Sequence, residues 1–183
     1  MATPRIILNK ARFALTITRL CRHLIEEHGD FSNTCLIGVQ TGGVFLAERL
    51  RDRLAEMGVT GYDYGRLDIT FYRDDFRTAK GPLTPQETEI EFLVEDKRVV
   101  LVDDVLFSGR TAVSALTALN HYGRPAQVEL LVMVDRRFRR ILPVRANYRG
   151  IAVDSLHDEY VEVQWMEEHG ADRILLTSPD END

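Results

Sequence analysis

The sequence predicts an α/β fold, with a mostly parallel central sheet flanked by helices. Three observations carry that prediction. Apolar runs of strand length recur at residues 35–39, 99–102 and 128–134. Stretches with helical apolar spacing lie before and between them. Glycine and proline punctuate the joints, at Gly29, Gly58 and Gly123-Arg124-Pro125. Strands that alternate with helices pair in parallel, because each return to the sheet needs a crossover.

The first helix is predicted over residues 10–28, where Phe13, Ile17, Leu20 and Leu24 share a face and Gly29 stands where a C-terminal cap is wanted. Cys35-Leu36-Ile37-Gly38-Val39 reads as a short buried strand. The turn Gln40-Thr41-Gly42-Gly43 leads to a helix over 44–57 that closes at Gly58. Over 66–72, Leu67, Ile69 and Phe71 alternate with polar residues, which predicts a half-buried strand. Residues 73–91 are polar, contain Pro82 and Pro85, and show no period. A connection of that length without structure of its own is usually functional or disordered. The run 99–102 is the clearest strand signal, followed by a helix over 112–120 and a strand over 128–134. An arginine-rich connection extends to residue 150, Val161, Val163 and Trp165 alternate in a late strand, and residues 178–183 are expected to fray. A chain of 183 residues suits a single domain over 1–183 that buries roughly 70% of its unfolded surface.

Composition narrows the function. Net charge is -6, which argues against indiscriminate nucleic-acid binding. The balance is uneven, since residues 153–183 hold ten acids and one base and leave the first 152 residues at +3. Of the 23 bases only Lys10, Lys80 and Lys97 are lysines; arginine favours forked contacts to phosphates and carboxylates. Cys21 and Cys35 read as small core residues, and no Cys/His cluster suggests zinc. No apolar run approaches the ~20 residues that span a bilayer, and the N-terminus lacks a secretory pattern. The expectation is a reduced, cytoplasmic protein with no membrane partner.

The chemistry concentrates in Val99-Val100-Leu101-Val102-Asp103-Asp104-Val105-Leu106-Phe107-Ser108-Gly109-Arg110-Thr111. Ligands of open α/β sheets bind beyond the carboxyl ends of the strands. Asp103 and Asp104 stand at such an end, where adjacent carboxylates repel unless cations or hydroxyls compensate. A vicinal diol suits them, because carboxylate oxygens accept from hydroxyls. Ser108-Gly109-Arg110-Thr111 runs into a helix, and free amides, hydroxyls and the positive helix end form an anion site. Diol and phosphate binders a few residues apart describe a ribose 5-phosphate pocket. The chain has neither a Walker loop nor a Gly-x-Gly-x-x-Gly turn.

This segment resembles the phosphoribosyl-pyrophosphate (PRPP) signature of type I phosphoribosyltransferases. The match is to the PyrR family, uracil phosphoribosyltransferases that also regulate the pyr operon by RNA attenuation. Leu67-Asp68-Ile69-Thr70-Phe71-Tyr72-Arg73-Asp74-Asp75, Tyr122-Gly123-Arg124-Pro125, Val134-Asp135-Arg136, and Leu142-Pro143 with Tyr148 and Gly150 agree as well. The resemblance implies the type I phosphoribosyltransferase fold, with a small hood beside the central sheet.

By that resemblance Asp103 and Asp104 hold the ribose hydroxyls, and residues 99–111, with Ser108, Gly109, Arg110 and Thr111 foremost, bind the sugar phosphate. Thr41 and Gly42 sit in the pyrophosphate loop, and Arg73 reaches pyrophosphate from a lid over 73–91. Magnesium enters as Mg2+ on PRPP or pyrophosphate, with no protein metal cage. Thr18, Arg19, Arg22, Arg136, Arg139 and Arg145 face RNA. The implied partners are PRPP, uracil, UMP or UTP, pyr leader mRNA, and further copies of the chain in a homodimer or higher oligomer. Two departures stand out. The turn at Gln40 lacks the basic residue usual there, and Arg137-Phe138-Arg139-Arg140-Ile141-Leu142-Pro143 is one residue longer than the usual Gly-His-Arg-Glu-Leu-Pro. The competing readings are an RNA-binding nucleotide sensor with vestigial catalysis, and transfer to another base.

Overall fold

In the computed structural model, which describes residues 4–73, 85–138, 140–155 and 159–178, five parallel strands form the central sheet. They are β2 (Thr34–Val39), β3 (Asp63–Leu67), β4 (Arg98–Leu106), β5 (Gln127–Arg137) and β6 (Tyr148–Asp154), ordered β3-β2-β4-β5-β6. Helices α1 (Lys10–His28) and α2 (Gly42–Glu56) cover one face, and α3 (Arg110–Leu119) covers the other. Alternation along the strands makes the two cores. Leu36, Val100, Val102, Leu131 and Met133 point to α1 and α2. Cys35, Ile37, Val99, Leu101, Leu130 and Val132 point to α3. Both cysteines are buried as expected.

A second sheet, β1 (Arg5–Leu8), β8 (Arg173–Thr177) and β7 (Tyr160–Gln164), is antiparallel in the order β1-β8-β7. With the short helix α4 (Met166–His169) it forms the small hood. Trp165 locks it to the body, its ring edge-on to Phe13 at 5.3 Å. No helix among the described residues is long and apolar enough to cross a membrane.

The helix over 10–28 forms with the expected limits. The Asn9 side chain accepts from the Arg12 N–H at 3.1 Å, and Gly29 leaves the helix at φ +60°. The strand expected over 66–72 is shifted. It runs over Asp63–Leu67 and stops because the Asp68 carboxylate takes both the N–H and the hydroxyl of Thr70, folding Thr70–Tyr72 into a 3-10 turn. The arginine connection is also shorter than expected, since β5 continues through Asp135, Arg136 and Arg137, and residues from Tyr148 onward form β6. Strands β1 and β8 are short runs from the two ends of the chain that form only by pairing with each other and, for β8, with β7, which no local pattern announces. Residues 85–89 dock on the sheet edge: Asp68 accepts from the Gln86 N–H, and Arg66 and Glu89 exchange backbone hydrogen bonds of 2.9 Å. Most of the expected lid, from Asp74 to Thr84, lies outside the described residues, as do residues 179–183 of the expected tail.

Candidate active site at the carboxyl end of the sheet

Strand β4 is longer than its apolar run, so Asp103 and Asp104 lie inside it, near its carboxyl end. Val99, Val100, Leu101 and Val102, expected among the binding residues, are instead core. Their side chains are fully buried at the centre of the sheet and position the carboxylates without facing a ligand. Asp103 is 8% exposed, and its Oδ1 accepts from the Asp104 N–H at 2.9 Å. Burial, and then the neighbouring Asp104, push the Asp103 carboxyl well above the usual carboxylate range. Burial raises Asp104 too. Among the described residues neither carboxylate forms an ion pair. Two desolvated, unmatched acids are poised for hydroxyls or a cation.

The turn before α2 presses against this pair. A Cβ on Gly42 would lie 2.2 Å from Asp104 Oδ2, and one on Gly43 would lie 2.3 Å from the Val102 carbonyl. Only glycine allows the start of α2 to approach so closely. The Gln40–Thr41 peptide is cis, and Thr41 is exposed, making no side-chain cap to the helix.

Beyond Asp104 the chain rounds a cavity of about 180 Å³ lined by Arg73, Val105, Leu106, Phe107, Ser108, Gly109, Arg110, Thr111 and Ser114. Gly109 adopts φ +93° immediately before α3, a conformation side-chain-bearing residues rarely take. Ser108 Oγ accepts from the Arg110 N–H at 3.3 Å. The first amides of α3, the Thr111 hydroxyl and two arginines therefore converge on one small cavity. Groups of this kind are able to receive an anion.

A second cavity, about 380 Å³, shares Val105 and Phe107 and adds Asp104, Arg136, Tyr160, Val161, Glu162, Val163 and His169. Here the structure corrects an expectation. Arg136 is not on an RNA-facing surface: it is 5% exposed, donates to Ser155 Oγ (3.0 Å) and the Glu159 carbonyl (2.7 Å), and stacks over Phe107 at 4.2 Å. As a residue of β5 rather than of a loop, it points into the pocket that the hood closes. Tyr160, Glu162 and His169 were not foreseen, since they lie more than 50 residues along the chain and carry no local motif.

The other expected RNA-facing residues that are described lie on α1 and in the segment before β6. Arg19 donates to the Arg149 and Gly150 carbonyls. Arg145 and Arg149 line a hollow of about 440 Å³ with His23, Glu27 and Tyr148. Arg22 is exposed on α1, while the Thr18 hydroxyl is turned to the Ala14 carbonyl of its own helix. Arg139 lies outside the described residues.

A parallel sheet with an acidic pair and an anion loop at the end of its central strand defines the class. The phosphoribosyl transferase domain family matches residues 5–167, and the chain belongs to that family. Within it the curated relatives are named bifunctional protein PyrR. The one from Desulfosudis oleivorans is 44% identical over 163 residues, 89% of this chain and 90% of the relative. That from Deinococcus radiodurans is 40% identical over 183 residues, covering 99% of each. Among solved structures, a Trypanosoma cruzi hypoxanthine phosphoribosyltransferase superposes with TM-score 0.74 over 98% of this chain and 97% of that one, at 17% identity. A Staphylococcus aureus hypoxanthine phosphoribosyltransferase gives 0.70 over 97% and 93%, at 19% identity. These likenesses concern the fold.

Proposed function

We propose that the chain transfers the phosphoribosyl group of PRPP to uracil, giving UMP and pyrophosphate. The observation that carries this reading is the unmatched Asp103–Asp104 pair at the head of two cavities that share Val105 and Phe107, with Asp104 lining the second. One cavity suits the 5-phosphate, the other a flat base, and the acids between them suit the ribose diol. Phe107, backed by the Arg136 guanidinium, offers a face on which a pyrimidine stacks. The choice of uracil rests on the likeness to the PyrR proteins.

Loss of pyrophosphate leaves positive charge on the sugar carbon. The buried carboxylates lie beside that charge and hold the ring for attack from the base side, so catalysis is positioning and electrostatic stabilisation. No side chain is assigned as a nucleophile. Thr41 and Gly42 border the pyrophosphate position, and Arg73, which lines the phosphate cavity, is the lid-side cation over residues 73–91. Two adjacent carboxylates with few other protein donors fit Mg2+, which binds through one or two acids plus substrate oxygens and water. When bound it neutralises pyrophosphate as that group leaves.

A second role, binding of pyr leader mRNA under uridine-nucleotide control, is favoured by the meeting of α1 with the Arg145–Arg149 segment, where Arg19 touches the Arg149 backbone and Arg145 and Arg149 line a polar hollow. The assembly we propose is a cytoplasmic homodimer or larger. The deciding experiment supplies the purified chain with PRPP, Mg2+ and a panel of bases. UMP formation with uracil alone is expected. Preference for a purine or orotate overturns the uracil assignment, and UMP binding without any turnover favours the sensor. For RNA, a pyr leader hairpin is titrated against a scrambled one at two salt concentrations, with and without UMP. UMP-enhanced binding of the first alone supports regulation.

A further inference from the structure

We propose that Arg140 is a positioning residue for the phosphate loop. Through the Phe107 carbonyl it sets the direction of the amides that receive the sugar phosphate. The inference rests on the reading of the 180 Å³ cavity as the phosphate site. Arg140 stands in the arginine-rich connection, between Arg136 and Arg145, which the resemblance places facing RNA. Its guanidinium instead reaches inward, with one nitrogen donating to the Phe107 carbonyl and the other to Asp135 Oδ1 on β5. Asp135 is buried, and its second oxygen lies 4.0 Å from Arg149. Arg140 is thereby tied to the sheet on one side and to the loop on the other.

The next residues continue the grip. Ile141 and Leu142 each donate their N–H to the Ser108 carbonyl at 3.0 Å, and a Cβ on Gly109 would meet Val144 at 3.3 Å. Residues 140–144 thus hold the two consecutive carbonyls that precede Gly109. Neither of these peptides is cis. In a planar trans peptide the C=O and N–H point to opposite sides. Fixing the Phe107 and Ser108 carbonyls toward residues 140–142 turns the Ser108 and Gly109 N–H groups the other way, toward the cavity that those residues line. A guanidinium on the Phe107 carbonyl also polarises that peptide and strengthens its N–H as a donor. A neutral side chain at position 140 leaves the loop free to rotate. The phosphate then has to order it on binding.

The experiment compares wild type with Arg140→Gln and Arg140→Lys, the lysine variant keeping the charge and losing the fork. Three quantities are read: KM for PRPP against kcat and KM for uracil, binding of inorganic phosphate, and the Ser108 and Gly109 amide resonances without ligand. Arg140→Gln is expected to raise KM for PRPP and weaken phosphate roughly tenfold, the loss of one charge-assisted hydrogen bond. KM for uracil should stay near wild type and both amides should shift. Arg140→Lys should recover part of the loss. Wild-type KM for PRPP and unshifted amides in Arg140→Gln overturn the proposal. A general loss of stability with every kinetic constant changed in proportion overturns it too. Absence of turnover by the wild type tells against the transferase reading instead, and the phosphate titration and amide shifts still decide the role of Arg140.

Discussion

Two groups of acids, one at each end of the parallel sheet, are treated in opposite ways, Glu129 at the amino end and the Asp103–Asp104 pair at the carboxyl end. At the amino end Glu129 is 6% exposed and has partners among the surrounding side chains. Its Oε2 lies 3.0 Å from His28 Nε2, its Oε1 lies 3.6 Å from the Arg98 guanidinium, and Gln127 donates to it at 3.0 Å. His28 is held in turn, with Thr34 Oγ1 and the Tyr148 hydroxyl each 3.0 Å from its ring nitrogens. Burial, and then Arg98, lower the His28 pKa. At the carboxyl end Asp103 is as buried and Asp104 half-buried, among the described residues neither has a cation beside it, and both are raised. The lesson is physical. A partnered buried acid has its desolvation cost offset within the fold, whereas an unmatched one carries a cost that a ligand relieves.

Three substitutions break that comparison in order of size. Glu129→Ala leaves Gln127, His28 and Arg98 without their acceptor and should lower unfolding free energy by about 2–3 kcal/mol, as when buried donors lose a partner. Denaturant titration checks it, with kcat unchanged in the folded fraction. Asp104→Asn should do the reverse, keeping the fold and lowering kcat/KM for PRPP roughly 10- to 100-fold through the lost contact to the ribose hydroxyls. Thr111→Val should weaken the phosphate by about 1–2 kcal/mol, seen in KM for PRPP and in ribose 5-phosphate affinity, while KM for uracil holds. If Glu129→Ala costs activity rather than stability, or Asp104→Asn costs stability rather than activity, the two ends are not divided in this way.

Much of this division was legible in the sequence, because it rests on local patterns. Phe13, Ile17, Leu20 and Leu24 gave α1, and Asp103-Asp104 with Ser108–Thr111 placed diol and phosphate groups on one loop. What was not legible depends on contacts distant along the chain. Arg136 looked like one more surface arginine, yet three further residues of β5 carry it under the hood against Phe107. The matched cluster around Glu129 joins α1, β2, β4, β5 and β6. No spacing of residues announces it. Likewise Tyr160, Glu162 and His169 reach the second cavity only because β7 pairs with β8.

The most direct test of the unmatched pair is the melting temperature of Asp103→Asn without ligand, followed from pH 8 downward. The amide still accepts the Asp104 N–H but carries no charge. A carboxyl raised by folding costs stability when ionised, and the cost fades as pH falls through its raised range. The variant should therefore melt higher than wild type at pH 8, by on the order of 2–4 °C. That advantage should shrink as pH drops, because wild type gains stability by taking up its proton. Turnover of PRPP by the same variant should fall. A variant that melts lower than wild type at pH 8, or one whose difference does not depend on pH, contradicts the account.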